Sequence, residues 1–155
     1  MDHKILDISS IPYQIMIKRL YNYLRITPHI KYLEIEWGKY KYLILERSPD
    51  NYQKIRLLLT KKEEYPVEQF YRLIDESLEI PVTQNHFINA ASHVFGYFKK
   101  TASAEEKTIY TNYLEHYVMT PSVMNELKHF LYQLSFKYHE KYLIDSHYFI
   151  DLYYR

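Results

Sequence analysis

Apolar residues recur along this chain at spacings of three and four, and strand-like alternation is nearly absent. Between Ile11 and Arg25, the residues Tyr13, Met16, Ile17, Leu20 and Leu24 share one face, the pattern of an amphipathic first helix. Pro28 fits the start of a long second helix, with Ile30, Leu33, Trp37, Tyr40 and Ile44 as its buried stripe. Ser48-Pro49-Asp50 couples a capping hydroxyl to a proline tolerated in a first turn. A third helix follows, carrying Tyr52, Ile55, Leu58 and Leu59. Pro66 opens a fourth with Val67, Phe70, Ile74 and Leu78 inward. After Pro81 a fifth runs from Thr83 to Lys100, with Phe87, Ala90, Ala91, Val94 and Phe98 inward. Ser103 and Glu106 have the spacing of a capping box and start a sixth. Thr120-Pro121 repeats the cap-then-proline start for a seventh, with Val123, Leu127, Phe130, Leu131 and Leu134 on its core side. From His139 to Arg155 the tail reads as a short helix and then an extended arm. The expected fold is all-α: one bundle of six or seven helices over residues 1–155. It would comprise an N-terminal helix and lead-in (1–28), a core (29–138) and an aromatic tail (139–155).

Composition narrows the chemistry. With no cysteine, disulfides, thiol nucleophiles, cysteine-ligated zinc and ordinary iron–sulfur ligation are excluded together. The first residues are charged, and no apolar run approaches the roughly 18 residues of a membrane span. The expectation is a cytoplasmic protein without a membrane partner. Tyrosine is the outlier, 19 residues against 7 Phe and 1 Trp. Its apolar ring and polar tip suit a wet core, a subunit interface or a platform for stacking bases. An A+T-rich coding bias would also raise Tyr, Lys, Ile and Asn together. Net charge is only +1, but from Lys18 to Lys62 there are 11 Lys and Arg against 4 acids. From Glu63 to Glu79, 6 acids face Arg72 alone. Such separation either builds a basic face for an anionic partner or lets the two segments pair with each other.

Only two glycines occur, and both Gly38 and Gly96 fall inside helical patterns, where each costs roughly 1 kcal/mol relative to alanine. Close backbone approach is the expected reason. On the fifth helix, Asn89, His93, Gly96 or Tyr97, and Lys100 follow one face opposite the apolar stripe. That face could grip phosphates or sugar hydroxyls, and a solvated polar face is the simpler reading. Metal binding finds little support: His86 and His93 stand two turns apart, and Glu126-x-x-His129 lacks the second copy a di-iron bundle needs. There is no nucleophile elbow and no Gly-rich phosphate loop, so no cofactor is implied.

The central segment Asn89-x-x-x-His93-x-x-Gly96-Tyr97-Phe98-Lys99, followed by Ser103-x-x-Glu106-Lys107, resembles the signature of the YbgA-like family, a bacterial domain of unknown function. Trp37-Gly-Lys-Tyr-Lys41, Arg47-Ser-Pro-Asp-Asn-Tyr52 and the closing Tyr142-Leu143 to Tyr148-Phe149 resemble further blocks of it. Tyr40 stands where that family tends to have histidine, and an arginine of its Tyr-Arg pair is replaced near Tyr117-Val118. Relatives occur alone or fused to a desulfidase domain that removes sulfur from thiolated uracil compounds. The resemblance therefore implies a recognition module for RNA, in particular thiolated tRNA, with a separate desulfidase as a further partner.

Three readings follow. In the first, a non-catalytic RNA-binding accessory, Lys39, Lys41, Arg47, Lys99 and Lys100 contact phosphates. Tyr52, His93 and Tyr97 stack or hydrogen-bond alongside Asn89, and Gly96 permits close approach. In the second, a small enzyme acts on a nucleobase or nucleotide, with His93 as acid/base in a cleft shared with Arg47. In the third, the motif only packs helices and the tyrosines form a homo-oligomer interface, which would bury His93, Tyr97 and Phe98 together.

Overall fold

Capping residues set the element boundaries. In the computed structural model, residues 2–152 are described, with side chains from Tyr13 onward. All regular structure among the described residues is helical, so the chain is all-α. The order is α1 (Asp2–Tyr23), α2 (Ile30–Leu45), α3 (Pro49–Leu58), α4 (Val67–Leu78), α5 (Gln84–Phe95), a 3-10 turn (Gly96–Phe98), α6 (Ala104–His116), α7 (Pro121–Lys137), α8 (Lys141–Ile144) and a second 3-10 segment (His147–Leu152). Ser48 accepts from the Asn51 amide at 3.1 Å with Pro49 in the first turn, and Thr120 accepts from Val123 with Pro121 placed likewise. The expected capping box is complete. The Glu106 amide donates to Ser103 Oγ at 3.1 Å, and the Ser103 amide donates to Glu106 Oε1 at 2.9 Å.

Helix α2 separates two apolar cores. Ile30, Leu33, Tyr40 and Ile44 face Ile55 of α3 and Phe70, Tyr71 and Ile74 of α4. Tyr42 and Leu45 face the other way, into a larger core of Phe87, Val94, Phe98, Leu127, Leu131, Tyr148 and Phe149. Where α2 ends, Glu46 receives a hydrogen bond from Lys128 of α7 at 2.8 Å, both side chains being buried. The Lys128 ammonium also lies 4.3 Å from the centre of the Tyr148 ring.

The α1 stripe Tyr13, Met16, Ile17, Leu20 and Leu24 does not face inward: these residues are 65, 67, 47, 56 and 70 % exposed. Helix α1 docks through polar groups because α4 offers it Tyr71 and Asp75. Asn22 donates to the Tyr71 hydroxyl at 2.8 Å, Tyr71 donates to Glu36 at 3.0 Å, and Arg19 pairs with Asp75 at 2.8 Å. Two expectations are corrected. First, α5 stops at Phe95 rather than Lys100 and tightens into a 3-10 turn, so that the chain can reach the Ser103 cap through the Phe98–Ala102 hydrogen bond. Secondly, the tail is no extended arm over its described part. An extended strand would point the adjacent Tyr148 and Phe149 to opposite sides. The 3-10 segment instead buries both fully against α2 and α7. Residues 153–155 of that expected arm lie outside the described residues.

Glu106 gives the motif a pH signature. Hydrogen bonds from Lys137, Tyr138 and the Ser103 amide hold its carboxyl down at about 2, against an ordinary 4.5. Because the folded value is depressed, its stabilisation is present above the ordinary range and is lost as pH falls towards 2. Thermal melts of the wild type and Glu106→Gln from pH 7 to pH 2 should differ most above pH 5. The expected gap there is roughly 1 kcal/mol, the excess of charged over neutral hydrogen bonds. It should close as pH drops, and a gap independent of pH would refute the assignment.

Candidate aromatic and basic groove

Gly38 sits on the face of α2 that neither core covers. A Cβ there would lie 3.0 Å from the Tyr142 hydroxyl oxygen, so the missing side chain lets the Tyr142 ring lie against the helix. Tyr142 in turn stacks on Tyr97 with ring centres 6.0 Å apart and planes 15° apart. Tyr97 meets Tyr42 edge-on at 6.1 Å, and their hydroxyls are 2.8 Å apart. Burial and the Tyr97 hydrogen bond push the Tyr42 hydroxyl far above its ordinary range, which keeps it neutral. The Lys41 ammonium lies 5.1 Å from the Tyr42 ring centre and 5.2 Å from that of Tyr142, a cation–π placement over two rings.

Gly38, Lys41 and Tyr142 belong to one wall of an open groove of about 290 Å³, with Tyr97 stacked on Tyr142. Trp37, Gly38, Lys41 and Tyr142 line one side, and Arg56 and Lys62 close it from the end of α3 and the turn beyond. Its one acid, Glu34, is 2.8 Å from Lys62, so Lys41 and Arg56 remain as excess positive charge. Trp37 also packs on Tyr52 at 5.2 Å, which carries the aromatic surface on to α3.

The residues expected to act together are divided by this geometry. Lys41 lines the groove, Tyr97 stacks on its Tyr142, and Tyr52 packs on its Trp37. His93 is exposed one turn before Tyr97, its ring centre 6.5 Å from that of Tyr42. Asn89 lies exposed on the same helix, and Lys99 and Lys100 are exposed just past the 3-10 turn. Lys39 points elsewhere, into a separate cavity of about 480 Å³ with Glu36, Ser146 and His147. Burial and the nearby Lys39 lower the His147 imidazole to about 4, so it is neutral there. Arg47 donates from Nη1 to the carbonyls of Leu78 and Ile80 at 3.2 and 3.0 Å, tying down the end of α4. The cavity that Arg47 lines, with Glu46, Phe87 and Lys128, does not include His93. Among the described residues nothing packs on Gly96: its backbone is helical and a Cβ would meet nothing within 4 Å, so close helix packing is not its reason.

Tyr142, Gly38, Arg56 and Lys62 were missed as site residues. The signal for Gly38 and Tyr142 was present in the helical glycine. Its counterpart in the tail could not be chosen from among 19 tyrosines.

A family model described as "Protein of unknown function (DUF1722)" matches residues 41–151, over two thirds of the chain. The chain belongs to this family. No curated protein and no solved structure matches it. The DUF1722 match takes in Lys41, Tyr52, Arg56, Tyr97 and Tyr142, so most of the groove belongs to the family region. Trp37 and Gly38, with all of α1, lie before it.

The two glycines should behave oppositely. Gly96→Ala adds a methyl group in open space at a helical φ and should raise stability by roughly 0.5–1 kcal/mol. Gly38→Ala gains the same helix preference but must push the Tyr142 ring aside. Its melting temperature should therefore stay below that of Gly96→Ala, and the Tyr142 ring should shift against Tyr97. Tyrosine ring NMR shifts together with melting curves check both. An unchanged Tyr142 environment in Gly38→Ala would contradict the packing described.

Proposed function

We propose that this DUF1722 chain is a non-catalytic accessory domain that binds RNA in the groove between α2, α3 and α8. The observation that carries the reading is the pairing of Trp37 and Tyr142 with Lys41, Arg56 and Lys62 around one open groove. Exposed rings accept unstacked bases whatever their sequence, and cations beside them neutralise the adjoining phosphates. The shallow form suits a nucleic-acid strand better than a small substrate, which is normally enclosed. The enzyme reading asked His93 and Arg47 to share a cleft, and Arg47 is spent on backbone carbonyls instead. The purely structural reading asked for burial of His93, Tyr97 and Phe98, and only Phe98 is buried.

Within that reading, tRNA is the proposed RNA, with thiolated uridine as the favoured base and a separate desulfidase as the protein that would act on it. The resemblance of the Asn89–Lys107 segment to the YbgA-like signature supports this choice. The chain holds no cysteine with which to ligate an iron–sulfur cluster.

Fluorescence anisotropy with bulk tRNA at rising salt tests the assignment. Binding should weaken steeply with salt. Tyr142→Ala should cost about 1–3 kcal/mol, the value of one base–aromatic stack, and leave the salt slope unchanged. Lys41→Ala should instead flatten the slope by about one counterion. Absence of binding at low salt, or full binding by the Lys41→Ala, Tyr142→Ala double variant, would sink the proposal.

A further inference from the structure

Helix α1 is docked with its amphipathicity reversed. At 3.6 residues per turn, Ile15, Lys18, Arg19 and Asn22 share the side that meets the domain, while Tyr13, Met16, Ile17, Leu20, Tyr21 and Leu24 occupy the opposite side. The contacts of α1 to the domain join polar groups to a narrow apolar strip: Asn22 bonds Tyr71, Arg19 pairs with Asp75, the Tyr65 hydroxyl donates to the Asn22 carbonyl at 2.7 Å, Tyr23 stacks on Tyr71 at 5.6 Å and Ile15 packs on the core. The other side is apolar and open, and Ile26 just past the helix is 99 % exposed. Taking roughly 100 Å² or more from each of these seven large side chains gives a patch of ~700–1,000 Å². That exceeds the ~300–600 Å² a monomer usually leaves bare and matches the ~800 Å² per partner of a stable interface.

We propose that this face packs on the same face of a second copy of the chain, the two α1 helices antiparallel about a two-fold axis between Ile17 and Leu20. The spacing is self-complementary about that point. Ile17 falls opposite Leu20 of the partner subunit, Met16 opposite Tyr21 of the partner subunit, and Tyr13 opposite Leu24 of the partner subunit. Each of these six apolar positions meets an apolar position, as an isologous interface requires. An anionic membrane surface would instead call for free cations along the rim of the stripe. Arg19 is paired with Asp75, Arg25 is bonded to Asn22 and stacked 3.3 Å above Tyr32, and Lys18, 6.0 Å from the Tyr21 ring centre, is one cation where a membrane face needs several. The pairing also leaves the groove on α2 uncovered, since Trp37, Lys41 and Tyr142 take no part in it.

Sedimentation equilibrium of the full chain tests this. The wild type should sediment at twice 19.1 kDa, and Leu20→Glu with Leu24→Glu at 19.1 kDa with unchanged far-UV circular dichroism. A wild type that remains at 19.1 kDa up to its solubility limit, or a double variant that stays paired, overturns the proposal. So does a monomeric wild type that sediments with phosphatidylserine vesicles through the same two leucines, which would make lipid the occupant. The absence of native cysteine supplies a test that does not depend on glutamate variants folding. Chains carrying Tyr13→Cys mixed with chains carrying Leu24→Cys should form a disulfide-linked pair under mild oxidation, and failure to cross-link overturns the antiparallel arrangement.

Discussion

The burial of α2 on two sides is the constraint on which the rest of the structure depends. From Tyr42 to Glu46 every residue is buried, so this half of the helix cannot rotate without exposing one core or the other. Its end is fixed further by the Glu46–Lys128 pair. Desolvation raises the Glu46 carboxyl, Lys128 opposes that shift, and the two are compatible with burial only as partners. The orientation of α2 thus fixes what its remaining strip presents, and that strip is Trp37, Gly38 and Lys41.

The groove follows from this orientation. Tyr142 reaches the strip because α8 is anchored between α7 and the 3-10 segment whose Tyr148 and Phe149 fill the core beside α2. Tyr97 reaches it because α5 tightens after Phe95, with Phe98 buried beneath while Tyr97 remains half-open. The first 3-10 turn buries Phe98 and leaves Tyr97 half-open against Tyr142, whereas the second buries both Tyr148 and Phe149. The high tyrosine content serves both the wet core, as at Tyr71 and Tyr42, and this surface.

Much of the fold was legible because it rests on local rules. Ser48-Pro49, Ser103-x-x-Glu106 and Thr120-Pro121 start helices as their spacing predicts, since a cap needs only neighbours in sequence. The outward turn of the α1 stripe was not legible, because periodicity tells which residues share a face and is silent on what that face meets. Asn22 and Arg19 found polar partners on α4 that no local pattern announces. The site was legible in part. Lys41 lines the groove and Tyr97 stacks on its Tyr142, whereas Arg47 and Lys39 were drawn away by contacts to distant backbone and to the tail. The helical glycines carried the same sequence signal, yet only Gly38 has a ring pressed against it.

RNA lying in the groove would meet Trp37, Lys41 and Tyr142. Photocross-linking of tRNA carrying 4-thiouridine, with the linked peptides mapped by mass spectrometry, tests that contact most directly. The account predicts cross-links concentrated on the peptides holding Trp37–Lys41 and Tyr142. Cross-links confined to the Lys39–His147 cavity or to α1, or none above those of a non-binding protein, would contradict it.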